Sequence, residues 1–340
     1  MSSTIAGTDA ARQSLAAGPV GVALLHLERA TAGTGTWIDA HHHIRAAATG
    51  ATDAGQHTGL YYGAPAIAFL LHCAAQADDR YRTAASNLDQ PIEQLTRKRL
   101  TAATARIQHG GAATLGEYDL FYGLTGIGAL LLRRMPGSDT FTDLLRYLIQ
   151  LTHPREHHGL VLPGWWVDHD PDPTLPTLGG HVNFGMAHGA AGILALLALA
   201  MRHGHVVDHH ADAIDRLTRW FDRWRQHDPD HGDWWPQWLT LDELHTGELQ
   251  QTEPGRPSWC YGTPGIARAL HLAAIATNNP TRAADAEHAL LGSIPGQHTD
   301  LGLCHGLAGL YQTVHRAAAD SRNPALTQHL PALALHSARR

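Results

Sequence analysis

The sequence predicts an all-α fold in which helices come in repeated pairs. A turn with two glycines three positions apart recurs along the 340 residues, and each copy precedes a run of Ala, Leu and Ile. Successive copies begin 44 to 73 residues apart, which leaves room for a second helix in each repeat. The intervening segments are charged and amphipathic. Repetition at this scale indicates stacked helix pairs, arranged either as an open solenoid or as a closed ring.

Each Gly-x-x-Gly turn predicts the start of one apolar helix. In chain order the six turns are 18–21, 63–66 (with alanine in place of the second glycine), 123–126, 189–192, 262–265 and 306–309. Glycine lets backbones approach closely, and Pro19, Pro65 and Pro264 stand where a proline suits the first turn of a helix. We expect these helices to be buried on most sides.

Amphipathic helices are predicted between the apolar ones. Ile92–Ile107 and Thr281–Leu291 are examples, and Pro324–Arg340 is expected to be the last. An inner ring of buried helices inside an outer ring of amphipathic helices fits this division. Two insertions rich in Trp, Pro, Gly and Asp, at Leu160–Gly180 and Asp230–Pro257, are interpreted as loops or short hairpins. They would either roof one end of a ring or simply pack onto it.

Composition excludes several classes of function. The formal net charge is −6 and no long basic run occurs, so nucleic acid is not expected as a partner. Lys98 is the only lysine, which leaves no Walker lysine for nucleotide phosphates. The HExxH and GxSxG motifs are absent, as is GxGxxG in a strand-turn-helix context. The 27 histidines are interpreted mostly as solvated side chains whose protonation makes the net charge depend on pH.

The cysteines and the N-terminal segment predict a cytoplasmic protein. Three cysteines cannot form an extracellular disulfide framework. Met1–Gly18 lacks the basic and apolar regions of a signal peptide. No uncharged apolar stretch reaches the ~18 residues that a membrane span needs, and the longest candidate, Gly189–Met201, is interpreted as a buried helix. We therefore expect no membrane insertion.

Two cysteine-containing segments carry the strongest chemical signal. Cys260 precedes a glycine-bounded apolar run, and Cys304 and His305 precede another. Two thiolates and an imidazole are ligands that Zn²⁺ prefers, and a set of three leaves a fourth position for water or substrate. Adjacent side chains diverge on a regular helix, so Cys304 and His305 can reach one ion only from a loop or a first turn. The pattern predicts one catalytic Zn²⁺, whereas Cys73 is interpreted as a small buried hydrophobe.

These motifs, taken in their order, resemble the lanthionine synthetase C-like family, the zinc-dependent cyclases of lanthipeptide biosynthesis. The resemblance runs over about residues 14–318. The matching segments are Tyr118-Asp119-Leu120-x-x-Gly123-x-x-Gly126, Asn183-x-Gly185-x-Ala187-His188-Gly189-x-x-Gly192, Trp259-Cys260-Tyr261-Gly262-x-Pro264-Gly265 and Cys304-His305-Gly306-x-x-Gly309.

The resemblance implies a single α/α-toroid domain over residues 1–340, a double ring of inner and outer helices. It also implies a set of site residues. The zinc ligands would be Cys260, Cys304 and His305, the acid/base histidine would be His188, and Asp119, Arg256 and Tyr261 would accompany them. The family usually carries a seventh repeat, whereas six are visible here. The toroid would therefore be open, closed with fewer units, or completed by another subunit.

The activity that the resemblance implies is the closure of thioether rings in a dehydrated precursor peptide. A substrate cysteine thiol would occupy the open zinc position and add to the β-carbon of dehydroalanine or dehydrobutyrine. His188 would protonate the α-carbon, Asp119 would orient or polarise His188, and Arg256 would stabilise the enolate oxygen. A dehydratase and a transporter are the expected protein partners.

Other interpretations stay open at this point. Asp119 could be a helix N-cap, Arg256 a surface residue and Tyr261 a packing aromatic. The zinc centre could add a small thiol such as glutathione to dehydroamino acids, or the chain could be a non-catalytic peptide-binding scaffold. Another zinc α/α barrel, such as a prenyltransferase subunit, is disfavoured because its ligand set normally includes an aspartate.

Overall fold

The computed structural model describes residues 12–157, 159–172, 174–230, 232–295 and 300–338. Residues 1–11 lie outside the described residues, and they are part of Met1–Gly18, the segment that lacks the features of a signal peptide. The last two residues of the predicted helix Pro324–Arg340 also lie outside the described residues. In the part of the chain that is described, no helix is both long enough and apolar enough to cross a membrane.

Helices occur in pairs, as predicted. In chain order the helices are α1 (Pro19–Thr31), α2 (Trp37–Ala47), α3 (Ala64–Ala77), α4 (Arg82–Ser86), α5 (Asp89–Gln108), α6 (Leu115–Tyr118), α7 (Leu124–Arg134), α8 (Asp139–Leu151), α9 (Ala190–Arg202), α10 (His210–Trp224), α11 (Leu241–Thr246), α12 (Thr263–Ala276), α13 (Pro280–Gly292), α14 (Leu307–Asp320) and α15 (Pro324–Ala338). A 3₁₀ turn, Asp79–Tyr81, precedes α4. The apolar helices that follow the glycine turns are α1, α3, α7, α9, α12 and α14. Contacts join α1 to α2, α9 to α10, α12 to α13 and α14 to α15, whereas α5 and α8 come after α3 and α7 in the chain.

Contacts between residues group the chain into two compact units. Unit 1 lies within Met1–Ala105 and Gly116–Leu144, and unit 2 lies within Arg106–Leu115 and Leu145–Arg340. In unit 1 the apolar helix α3 contacts both α1 and α7. In unit 2 the apolar helix α12 contacts both α9 and α14 in the same way. The assignment of residues 1–340 to one domain stays a prediction.

Burial separates the two kinds of helix as their sequences predict. In α9 the side chains of Ile193, Leu194 and Leu197 are completely buried, and most of the other residues of this helix are buried too. Its partner α10 instead buries one face, formed by Ala213, Ile214, Leu217, Thr218, Phe221 and Trp224. Such a stripe is the pattern of a helix that covers a core from one side.

The second glycine of the turn lets the chain fold back over the start of the helix. A Cβ atom added to Gly126 would stand 1.9 Å from the carbonyl oxygen of Leu120. A Cβ atom added to another of these glycines would likewise stand 2.0 to 2.2 Å from the carbonyl oxygen six residues before it. The pairs are Gly21 with Leu15, Gly265 with Trp259, and Gly309 with Leu303. The N–H of Gly126 donates to the carbonyl of Asp119 at 3.2 Å, seven residues back. None of the six apolar helices has a side-chain cap on its first residues. At the start of α1, α7 and α14, the N–H of this second glycine donates to a backbone carbonyl seven residues back instead.

Replacing Gly126 with alanine is expected to destabilise the fold. The added methyl group would meet backbone atoms that cannot rotate away, and overpacking of this kind costs about 1–3 kcal/mol. The matched control is Gly137→Ala in the same unit, because a Cβ atom there meets no heavy atom within 4 Å. Its effect should stay within about 0.5 kcal/mol. Urea unfolding of both variants checks the prediction, and equal free energies of unfolding would contradict it.

Strands from the tryptophan-rich insertions form two short antiparallel hairpins, in agreement with one of the two interpretations, and one antiparallel pair between distant segments. The strands are β1 (Arg155–His157) with β2 (Leu160–Leu162), β3 (His181–Asn183) with β6 (Trp238–Thr240), and β4 (Gln226–Asp228) with β5 (Gly232–Trp234). Trp165 and Trp235 are buried against α10. The Trp165 ring lies edge-on to Trp220 at 5.5 Å between centroids, and Trp235 Nε1 donates to the Phe221 carbonyl at 2.8 Å. These aromatics therefore pack onto the helices.

Candidate metal centre

The two cysteine motifs lie on the turns that begin α12 and α14. These helices contact each other, and the N–H of Cys260 donates to the Cys304 carbonyl at 3.1 Å. Each turn ends at a glycine, Gly262 in one and Gly306 in the other. A Cβ atom on either glycine would stand 2.4 to 2.5 Å from a backbone atom, so the chain can fold this tightly only because the residue is glycine. Ligand-bearing residues that are distant in sequence therefore meet at the starts of adjacent helices.

Cys260, Cys304 and His305 each direct a ligand atom to one place. The two Sγ atoms and an imidazole nitrogen lie within 4.8 Å of one another. Cys260 is buried, with 3% of its surface exposed, whereas Cys304 and His305 are half-buried and open to solvent on one side. Among the described residues, no other three His, Cys, Asp or Glu side chains share this arrangement. Two sulfurs and one nitrogen form a donor set that fits Zn²⁺ and leaves one ligand position free.

The two thiols shift each other's pKa in opposite directions. A hydrogen bond from Cys304 lowers the pKa of Cys260 to about 6, and the Ser258 hydroxyl, 3.7 Å from Cys260 Sγ, acts in the same direction. The same bond raises the pKa of Cys304, because this thiol keeps the proton. The directions of the two shifts favour the thiolate on Cys260 and the thiol on Cys304. Binding of a metal needs both sulfurs as thiolates, which makes metal affinity rise with pH.

Asp300 and Arg256 add charge at the edge of the three ligands. Asp300 Oδ2 lies 3.1 Å from His305 Nε2, and Asp300 Oδ1 accepts from the Gly302 N–H at 2.6 Å. The Gly302 N–H lowers the pKa of Asp300, and the charges of His305 and Arg256 lower it further. Arg256 is exposed, and its charge also acts to lower the pKa of Cys304. Asp300 is a site residue that the sequence motifs did not reveal.

His188 lies on a turn that packs against Cys260. The Ala187 N–H donates to the Cys260 carbonyl at 3.1 Å, and a Cβ on Gly185 would stand 2.4 Å from that same oxygen. The half-buried ring of His188 faces the ring of Tyr261 at 5.6 Å between centroids. Five of the seven predicted site residues, Cys260, Tyr261, His188, Cys304 and His305, are thus joined by direct contacts in unit 2.

Strand β3 supports the His188 turn with neutral polar groups. Asn183 Oδ1 accepts from the Gly185 N–H at 2.9 Å, which closes the loop between the strand and the turn. His181, on the same face of the strand, is completely buried. Burial lowers the pKa of His181 to about 4, so this imidazole is neutral at physiological pH. Its Nδ1 bonds the His169 carbonyl at 2.8 Å, which fixes the ring.

Asp119 belongs to unit 1 and makes bonds typical of a turn-capping residue. It is 2% exposed, and its Oδ1 accepts from the N–H groups of Tyr122 and Gly123 at 2.7 and 2.8 Å. Gly123 directly precedes α7, so these bonds hold the turn from which that helix starts. The N-cap of α7 is Gly123, so Asp119 holds the turn before the helix and the interpretation of Asp119 as a helix N-cap is wrong. Its role in catalysis stays a prediction.

The order of the motifs and the geometry of the two turns agree with a known family. A family model described as lanthionine synthetase C-like protein matches residues 9–338. The chain belongs to the lanthionine synthetase C-like family. The nisin biosynthesis protein NisC of Lactococcus lactis subsp. lactis is 25% identical over 265 residues, which cover 74% of this chain and 60% of NisC. The chain thus spans about three-fifths of the length of this curated relative.

A solved structure of the same kind shows the fold. The structure described as nisin cyclase aligns with a TM-score of 0.76 and 21% sequence identity, over 98% of this chain and 83% of that one. The predicted fold class of this lanthionine synthetase C-like chain, the all-α toroid, is thereby confirmed. The way in which its last repeat is completed stays a prediction.

Proposed function

We propose that this chain is a lanthipeptide cyclase whose zinc ion is held by Cys260, Cys304 and His305. The observation that carries the proposal is the convergence of two sulfurs and one imidazole nitrogen within 4.8 Å on the turns before α12 and α14. Membership of the lanthionine synthetase C-like family supports the cyclase activity. A zinc ion bound there would lower the pKa of a substrate thiol, so that the thiolate is available near neutral pH.

The proposed reaction forms one carbon–sulfur bond and consumes one carbon–carbon double bond. The substrate cysteine sulfur adds to the β-carbon of a dehydroalanine or dehydrobutyrine in the same peptide, and the electron pair of the double bond moves toward the adjacent carbonyl. A proton then returns to the α-carbon. The thiol loses one proton and the α-carbon gains one, so the mass of the peptide does not change.

His188 is the proposed proton donor to the α-carbon. Its turn is bonded to Cys260, so the imidazole is held beside the ligand cluster, and an imidazole exchanges protons near neutral pH. Tyr261 packs against the His188 ring and is proposed to orient it. The exposed guanidinium of Arg256 is proposed to stabilise the developing oxygen charge. Asp119 is retained as an accompanying residue on the strength of its family motif.

The proposed substrate requires an earlier step. Dehydroalanine and dehydrobutyrine arise by loss of water from Ser and Thr, so a dehydratase must act on the precursor peptide before this chain. A transporter for the finished peptide is a further proposed partner. We place the reaction in the cytoplasm, where thiols stay reduced and free to bind metal.

Incubation with zinc and a dehydrated peptide that contains cysteine tests the proposal. We expect the free thiol to be consumed while the mass of the peptide stays constant. A product heavier by one glutathione, formed only when glutathione is added, would favour intermolecular thiol addition by the same centre. Tight peptide binding without loss of thiol would favour a non-catalytic scaffold, and the cyclase proposal would then be wrong.

A further inference from the structure

Asp300 is fixed to the candidate metal centre by three contacts. Its Oδ2 lies 3.1 Å from His305 Nε2, and its Oδ1 accepts from the Gly302 N–H at 2.6 Å. Its carbonyl accepts from the N–H of Leu307, the first residue of α14, at 2.9 Å. The carboxylate is therefore held by the same turn that carries Cys304 and His305, and it has little freedom to move away from the imidazole.

The contact to Nε2 determines which nitrogen of His305 can bind a metal. An imidazole has two ring nitrogens, and a nitrogen that bonds a carboxylate carries the hydrogen. The other nitrogen then holds the lone pair that a metal requires. We propose that Asp300 is a positioning residue for the zinc centre: its carboxylate holds Nε2–H of His305 and leaves Nδ1 as the metal ligand. This inference rests on the proposed zinc role of Cys260, Cys304 and His305.

A carboxylate that bonds a metal-bound histidine has two effects. It fixes the orientation of the ring, and it raises the basicity of the nitrogen that binds the ion. Loss of such a partner typically weakens metal binding by about 10- to 100-fold. The side chains of His305 and Asp300 are 41% and 38% exposed, so their contact is a solvated one. A solvated ion pair contributes little to folding, so a variant at Asp300 should fold.

Unit 1 contains a matched pair that provides a control. Asp53 Oδ2 lies 2.7 Å from His57 Nε2, and Asp53 Oδ1 accepts from the Gly55 N–H at 2.8 Å. Their side chains are exposed to a similar extent, and the two residues belong to none of the three-ligand groups found among the described residues. The Asp53–His57 pair therefore reproduces the local bonding of Asp300 and His305 without the cysteines.

The test compares Asp300→Asn with Asp53→Asn in the full chain. Asparagine at 300 keeps an oxygen for the Gly302 N–H but presents an NH₂ group to His305, which cannot accept the Nε2 hydrogen. Competition with a chromophoric chelator should show zinc affinity lowered by about 10- to 100-fold in Asp300→Asn. Asp53→Asn should keep the wild-type affinity. Unchanged affinity in Asp300→Asn, or an equal loss in Asp53→Asn, would overturn the inference.

A second measurement determines the tautomer of His305 in the unsubstituted chain, and the His305→Gln variant serves only to assign its signal. In a sample labelled with ¹⁵N-histidine, the imidazole that responds to zinc and is missing in His305→Gln should carry its hydrogen on Nε2 and the metal on Nδ1. Metal on Nε2 would overturn the role of Asp300 while leaving the proposed function intact. A wild-type chain that binds no zinc would overturn the proposed metal centre, and the inference with it.

Discussion

Replacing Cys304 with alanine is expected to remove both zinc binding and thioether formation. The variant keeps Cys260 and His305, and two ligands cannot hold the ion as three do. Loss of a partner outside the ligand set already costs about 10- to 100-fold in affinity, so loss of a ligand should cost more than about 100-fold. Without the ion the substrate thiol stays protonated near neutral pH, and ring closure should fall to the uncatalysed rate. Metal content per chain and free-thiol consumption are the two measurements.

Cys73 provides the control for this experiment within the same chain. It packs against the core of unit 1, far in sequence from either ligand turn, and burial raises its pKa to about 11. The neutral thiol is therefore favoured at Cys73, and this residue belongs to no three-ligand group among the described residues. Cys73→Ala should keep one zinc per chain and the full rate, at a stability cost on the order of 1 kcal/mol. A Cys304→Ala variant that behaves like Cys73→Ala would contradict the proposed centre.

The helix pairs could be predicted because the interactions that start each apolar helix are local. Residue 126 must be glycine because a Cβ atom there would collide with the carbonyl oxygen of Leu120, only six residues before it. Gly309 and Leu303 are related in the same way and at the same separation in sequence. Because this constraint acts within one short segment, it can be recognised from the sequence wherever the turn recurs. The pairing of β3 with β6 is different, because Asn183 is opposite Trp238 across a whole helix pair. No local pattern specifies that partner, so the sequence indicated short hairpins without their register.

The residues of the candidate site also divide into those that the sequence predicted and those that it did not. Cys260, Cys304 and His305 stand out because glycine-bounded turns with thiols are rare and have a definite chemistry. Asp300 was missed because the carboxylate reaches His305 through the shape of a loop, five residues away and at no helical or strand spacing. The available signal was the Asp-x-Gly turn itself, in which the side chain bonds the backbone two residues on. Ser258, which bonds both Cys260 Sγ and the Tyr261 N–H, was missed for the same reason.

His188→Gln is expected to slow ring closure without weakening zinc binding. Glutamine preserves a polar side chain of similar length but cannot deliver a proton near neutral pH. Loss of a general acid typically lowers the rate by about 10²- to 10⁴-fold. The ligand atoms come from other residues, so the affinity for zinc should match that of the wild type. Rates of thiol consumption and chelator competition, measured on one preparation, separate the two effects.

A second histidine in unit 2 makes the comparison specific. His315 stacks on Tyr311 at 5.9 Å between ring centroids, much as His188 faces Tyr261, but it lies exposed on α14 within the helix. His315→Gln should leave both rate and affinity unchanged, because the substitution alters a histidine–tyrosine pair away from the turns. If His188→Gln also kept the wild-type rate, the proposed proton donor would be wrong. If it lost zinc together with the rate, His188 would act by shaping the ligand turn at Cys260, through the Ala187 bond, and the proton would have to come from another group.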